Sequence, residues 1–132
     1  MDPDIQPALI ERLDTYCPAF ESVSDAWFMA PLDNLDAELP MAAVYLHQDG
    51  PDGDPDTLRG RQRLTLVYGV WIVCARDEFR DHRHAVREAL HGWVPTEHHE
   101  PLAYAGGQTS DIRGAHVWWL ERWSVDTWLF YP

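Results

Sequence analysis

"RQRLTLVYGVWIVCAR", residues 61–76, decides the architecture. In an extended chain Leu64, Leu66, Tyr68, Val70, Ile72 and Cys74 fall on one side, and Thr65, Val67, Trp71 and Val73 on the other, with Gly69 among them. Side chains alternate across a strand, so apolar residues at both parities mean a strand covered on two faces. The stretch reads as a long central strand. In a chain of 132 residues, helices supply one cover, and a neighbouring subunit is a candidate for the other.

The flanking sequence completes the pattern. "RDEFRDHRHAVREALHGWVP", residues 76–95, sets Phe79, Val86, Ala89, Leu90 and Trp93 as the inner stripe of a helix. Asp77 is placed to cap it, Gly92 to stop it, and Pro95 follows. Upstream, "MAAVYLHQ", residues 41–48, is an apolar strand, and "FESVSDAWF", residues 20–28, contains a short one. The opening "DPDIQPALIERLDTYCP" places Ile5, Leu9, Leu13 and Tyr16 on one helical face, with Ala8 beside them. Acidic residues there suit the positive end of the helix dipole, and Pro18 lies beyond the last turn. Downstream come a short strand around Leu102–Tyr104, turns at Gly106-Gly107 and Gly114, and a closing "AHVWWLERWSVDTWLFYP" as one long strand or a bulged pair. This order predicts an α+β fold, a mostly antiparallel sheet with two helices packed on one face, in a single domain over residues 1–132.

Charge narrows the function. Asp and Glu number 22 against 10 cations, all arginine, for a net charge of −12. Such a surface repels phosphate backbones, which argues against a nucleic-acid grip but suits a role near DNA where contact must be avoided. The N-terminal stretch has no basic region followed by an apolar run, so no secretory signal is expected, and no segment is long and apolar enough for a bilayer. Cys17 and Cys74 lack metal-ligand spacing; Cys74, inside the strand pattern, reads as a buried free thiol that fits a reducing compartment.

"DGPDGDPD", residues 49–56, concentrates acid in a way that invites a calcium reading. Counted from Asp52, the ligand positions Asp54 and Asp56 fit, but the required glycine is Thr57 and the bidentate glutamate is Arg63. The stretch reads instead as a solvated, Gly- and Pro-rich turn between strands. His82 and His84 are two apart on a helix and point to different sides, where a ligand pair needs a spacing of three or four. "EHHE", residues 97–100, is the better cluster: His98, His99 and Glu100, completed by His116 or Asp111, would make a metal-binding module or small metal enzyme. Nucleophile elbows, a P-loop and a dinucleotide fingerprint are absent, so no catalytic residue and no cofactor is assigned.

Four of seven tryptophans fall between residues 118 and 128. Val117, Trp119, Glu121, Trp123 and Val125 share one strand face; Trp118, Leu120, Arg122, Ser124, Asp126 and Trp128 share the other. One small core rarely hides seven indoles, and aromatic residues are enriched at subunit contacts. Trp71, Trp118, Trp119 and Trp123 are therefore candidate interface residues.

The succession "CARD" (74–77), "LHGWVP" (90–95), "PLAYAGG" (101–107) and "GAHVWWLERWSV" (114–125) resembles the small minor tail proteins of tailed bacteriophages. More narrowly, it resembles the tail terminator (tail completion) family of Mu-like and related phages. With the N-terminal helix and the Ala42–Leu46 strand, the resemblance covers most of the chain. It implies a structural protein of the virion, at the head-proximal end of the tail and assembled in the host cytoplasm. A hexameric ring would sit on the last ring of the tail tube, end its polymerisation and offer a surface for head joining. The partners implied are copies of the chain, the tail tube protein and a head–tail connector or neck protein, with DNA passing through unbound. A different neck or head–tail joining ring is the neighbouring reading. Within such a ring, Asp49, Asp52, Asp54 and Asp56 are candidates for a loop at the lumen or the rim. The acidic loop and the tryptophan load depart from the family pattern.

Overall fold

Two helices and five strands follow one another in the structure, a computed structural model that describes residues 3–28 and 39–130. They are α1 (Gln6–Tyr16), β1 (Ser22–Asp25), β2 (Met41–Pro51), β3 (Arg61–Ala75), α2 (Phe79–Leu90), β4 (Ala103–Arg113) and β5 (His116–Phe130). The strands form one sheet in the order β1-β2-β3-β5-β4, with β1 parallel to β2 and every other pairing antiparallel. The sheet is thus mostly antiparallel, as the sequence predicts. β3 is its middle strand and pairs without a slip from Arg61↔Phe130 to Ala75↔His116.

Both helices lie on one face. The even-numbered set of β3, from Leu66 to Cys74, meets Ile5, Leu9 and Leu13 of α1 and Val86, Ala89 and Leu90 of α2. Leu9, Leu13, Val86 and Leu90 are fully enclosed, each worth about 1.5–3 kcal/mol of apolar burial. Cys17 and Cys74 are free and buried in this layer, and burial pushes both thiols up to about 11. Tyr68 adds a polar tie: its hydroxyl donates to Asp4 and accepts from the Ile5 amide, which fixes the entry to α1.

The opposite face holds a second cluster of Met41, Ala43, Tyr45, Trp71, Val73, Trp118 and Leu120. Ala26, Phe28 and Leu39, from the two ends of the connection between β1 and β2, pack against it. The chain itself therefore covers this half of the face, where the sequence left room for a neighbouring subunit. The lower half stays polar, around Arg63, Thr65 and Asp126. At Gly69 the Tyr45 ring lies so close over the backbone that no Cβ would fit.

Several boundaries differ from expectation for identifiable reasons. Asp49, Gly50 and Pro51 continue β2 because β3 offers partners for them. Gly106-Gly107 is no turn: β4 runs through it as a bulge, with Gly106 at φ 110°, and the turn falls at Gly114. The closing segment is one 15-residue strand. Glu78, not Asp77, precedes the first turn of α2, without a side-chain cap. Tyr16 points outward, its ring under the Arg12 guanidinium at 4.0 Å.

Candidate functional site

The acidic stretch is the stem and tip of the β2–β3 hairpin. Asp52 donates its amide to Arg63, and Asp56 and Arg61 exchange both backbone bonds across a turn at Thr57–Gly60. Gly53 and Gly60 take the positive φ that these bends require (87° and 63°). Charge is only partly balanced. Arg63 reaches Asp52 at 3.0 Å, Glu100 at 2.9 Å and Asp126 at 3.1 Å, and this triple pairing holds the guanidinium above its ordinary pKa. Asp56 faces Arg59 and Arg61. Asp49 and Asp54 have no ion-pair partner among the described residues and leave the arm acidic. At its tip Leu58 is 97% exposed, an apolar residue with no cover from its own chain.

The tryptophans divide. Trp71 and Trp118 are enclosed in the second cluster, and Trp123 in the helix-side core. Three of the four candidate interface indoles are thus wrapped by the chain itself. Trp119 is half-buried, and Trp27, which sequence patterning did not single out, is 89% exposed.

Trp119 and Trp123 belong to a ladder on the helix side. Glu121, between them on β5, is fully buried, and each of its oxygens accepts one indole N–H at 3.0 Å. Burial raises the Glu121 carboxyl above its ordinary range, against the pull of the two indoles and of Arg87 and Arg83. Helix α2 supplies the facing row. Phe79 packs edge-on to Trp119, Arg83 lies over the same ring, and Arg87 lies over Tyr104 and donates to its hydroxyl. The rows match because four helical residues rise about 6 Å and two strand residues about 6.6 Å. Gly107 completes the fit, since a Cβ there would strike the Trp119 ring. The sequence signal was a lone acid between two indoles on an otherwise apolar face.

Beside this ladder, α2 and β4 leave an open groove of about 720 Å³, lined by His84, Arg87, Glu88, His91, Tyr104 and Trp123. β4 is the edge of the sheet, so its outer backbone row faces the same side. Nearly all of its residues are exposed.

The histidine cluster does not assemble. His99 is buried, its Nε2 against the Pro3 carbonyl at 2.9 Å and its Nδ1 against the Thr96 hydroxyl at 2.6 Å. His98 sits beside Glu97. His99 bridges to Thr127, whereas His116 opens the other end of β5, roughly 35 Å away at strand rise. Asp111 is held by Arg113, which pulls its carboxyl below the ordinary range. Among the described residues no three metal-ligating side chains converge, and no helix is long and apolar enough to cross a membrane.

None of the curated proteins searched matches the chain. The family of phage tail terminator proteins matches it over residues 1–129, which takes in both helices and, but for the last residue of β5, the whole sheet. The expected resemblance holds, and the chain belongs to the phage tail terminator family, a structural component of a phage tail.

Proposed function

We propose that the protein forms a hexameric ring on the head-proximal end of the tail tube, stops its growth there, and presents the surface on which a head connector or neck protein docks. DNA passes through the ring without being gripped. Family membership over residues 1–129 carries this reading. The fold supports it in one respect: the β2–β3 hairpin turn, at one end of the inner strands, and the open edge at β4 are two different surfaces of the sheet. Two unlike surfaces on one chain suit the head-to-tail contacts from which rings close. The net charge of −12 repels a passing phosphate backbone, and Asp49, Asp52, Asp54 and Asp56 sit at the ring's rim or lumen.

The test is assembly of tails without the protein. Tubes of uncontrolled length, returned to one length by adding the purified chain, support the reading, and a hexamer by native mass spectrometry supports the ring. Tails of normal length without the chain refute termination. Replacing the four aspartates by Asn is expected to slow DNA passage or weaken docking to the tube; an unchanged phage yield refutes their role.

A further inference from the structure

Tyr45, Gly69 and Arg122 stand at one level across β2, β3 and β5, on the face away from the helices, because Tyr45 pairs with Gly69 and Gly69 with Arg122. The glycine leaves room for the phenol: the hydroxyl end of the Tyr45 ring lies over the Gly69 backbone, on the way to β5. His47 joins them from the irregular step of β2 between Leu46 and Gln48, its ring edge-on to Tyr45 with centroids 5.9 Å apart. What this cluster lacks is an acid. Arg12, Arg61, Arg63, Arg83 and Arg87 are half-buried like Arg122, and each lies over an aromatic ring or against carboxylates. Arg122 alone among the half-buried arginines has no ion pair, ring or hydrogen bond within the described residues, and its Nε is enclosed without an acceptor. The Nδ1 of His47 is enclosed without a partner as well. On β5 the neighbouring acids are engaged elsewhere: Glu121 faces the helices, and Asp126, roughly 13 Å along the strand, is tied to Arg63 and Thr65. At this level β3 brings only Gly69 and Val67, neither of them titratable.

We propose that Arg122, Tyr45 and His47 form a binding site for a carboxylate, with the guanidinium meeting its charge and the phenol and imidazole donating to its oxygens. An enclosed polar nitrogen is costly unless it is paired, and a half-buried guanidinium gains most from an oxyanion at its planar fork. Burial and the Arg122 charge both hold His47 below its ordinary pKa, and burial raises Tyr45, so near neutral pH only Arg122 is charged. One positive charge beside two neutral donors matches a monoanion with two oxygens. A phosphate backbone, by contrast, is turned away by the net charge of −12. The carboxylate comes from a small free acid or from an Asp or Glu side chain of a neighbouring copy, and the chemistry recognised is the same. The site stands on this geometry and does not depend on the ring.

The test titrates the full chain with sodium acetate against sodium chloride at constant ionic strength. The His47 ring signals, assigned by their loss in His47→Gln, are followed by NMR, and self-assembly by sedimentation velocity. In the monomer acetate is expected to move the His47 signals saturably and to raise the His47 pKa, because a bound anion offsets the Arg122 charge. Arg122→Gln is expected to weaken this binding about tenfold or more, and Arg122→Lys to keep part of it, both with an unchanged circular dichroism spectrum. Assembly that Arg122→Gln weakens, and that acetate but not chloride competes away, assigns the carboxylate to a neighbouring copy. Assembly indifferent to both, beside a saturable shift in the monomer, assigns it to a free acid. Acetate that neither moves His47 in the monomer nor dissociates the assembly overturns the site, and so does an acetate response undiminished in Arg122→Gln. A chain that never assembles, even on tail tubes, overturns the ring, while the acetate titration of the monomer still decides the site.

Discussion

Replacing Glu121 tests whether the tryptophan ladder is a core device. Glu121→Ala removes the acceptor for both indole N–H groups, which meet it at 3.0 Å inside the helix-covered face. A buried donor left without an acceptor costs about 1–3 kcal/mol. Two of them, set against the relief of no longer burying a carboxylate, give a net loss of about 2–4 kcal/mol. Glu121→Gln keeps one acceptor oxygen and turns a donor toward the other indole, so its loss is smaller, about 1–2 kcal/mol. The two variants are compared by urea unfolding, followed by circular dichroism and tryptophan fluorescence.

The pH dependence supplies a second readout with a definite sign. Burial raises the Glu121 carboxyl above its ordinary 4.5, so the folded chain holds this proton more tightly than the unfolded one. The contribution is fully present below the ordinary value and is lost as pH rises through the raised one. Wild type should therefore gain stability relative to Glu121→Gln as pH falls from neutrality toward 4.5. A loss under 1 kcal/mol for Glu121→Ala, about the worth of one ordinary hydrogen bond, refutes the clamp. So does a wild-type-to-Gln difference that stays flat with pH.

Two further substitutions check the frame. Gly69→Ala places a methyl where the Tyr45 ring lies; forcing the ring aside is expected to cost about 1–3 kcal/mol, read as a fall in the urea midpoint at unchanged slope. Arg63→Ala strips Asp52, Glu100 and Asp126 of their shared cation; in a partly exposed network the loss is about 1–2 kcal/mol at low salt and shrinks at high salt, as paired melts would show.

The sequence made the fold legible wherever periodicity is enforced by burial. β3 showed apolar residues at both parities because it is the middle strand with a cluster on each face. The α1 and α2 stripes showed because one side of each helix meets that sheet. What stayed hidden depends on partners distant in sequence. Gly106-Gly107 looks like a turn from its neighbours, yet β5 pairs on both sides of it and absorbs the extra residues as a bulge. Asp49–Pro51 look like loop, yet β3 draws them into the ladder. The packing of the tryptophans was hidden as well. Counting indoles against the size of one core overlooks that this sheet carries two, and Trp71, Trp118 and Trp123 are divided between them. The acid of the hairpin was visible; its three-way pairing through Arg63 joins residues 52, 63, 100 and 126 and had no local signal. Leu58 did have one, an apolar residue alone in a polar turn.

Ionic strength separates two kinds of electrostatics in the proposed ring. Many of the ten arginines are engaged close at hand: Arg59 and Arg63 on the hairpin and its neighbours, Arg83 and Arg87 over the ladder, Arg12 over Tyr16, Arg113 on Asp111. What a neighbouring subunit meets at a distance is therefore the surplus acid, and chains of −12 repel one another. That repulsion acts across solvent and is cut once the Debye length falls below about 10 Å, near 0.1 M salt. Close-packed contact between subunits works differently, through surfaces a few ångströms apart, which salt screens far less. Raising salt from roughly 0.05 M to 0.5 M, across that threshold, should thus favour assembly of the wild-type chain, measured by sedimentation velocity at fixed protein concentration. If exposed ion pairs held the ring instead, the same change would dissociate it. Dissociation would refute the view that the acidic surface opposes assembly and that short-range contact carries it.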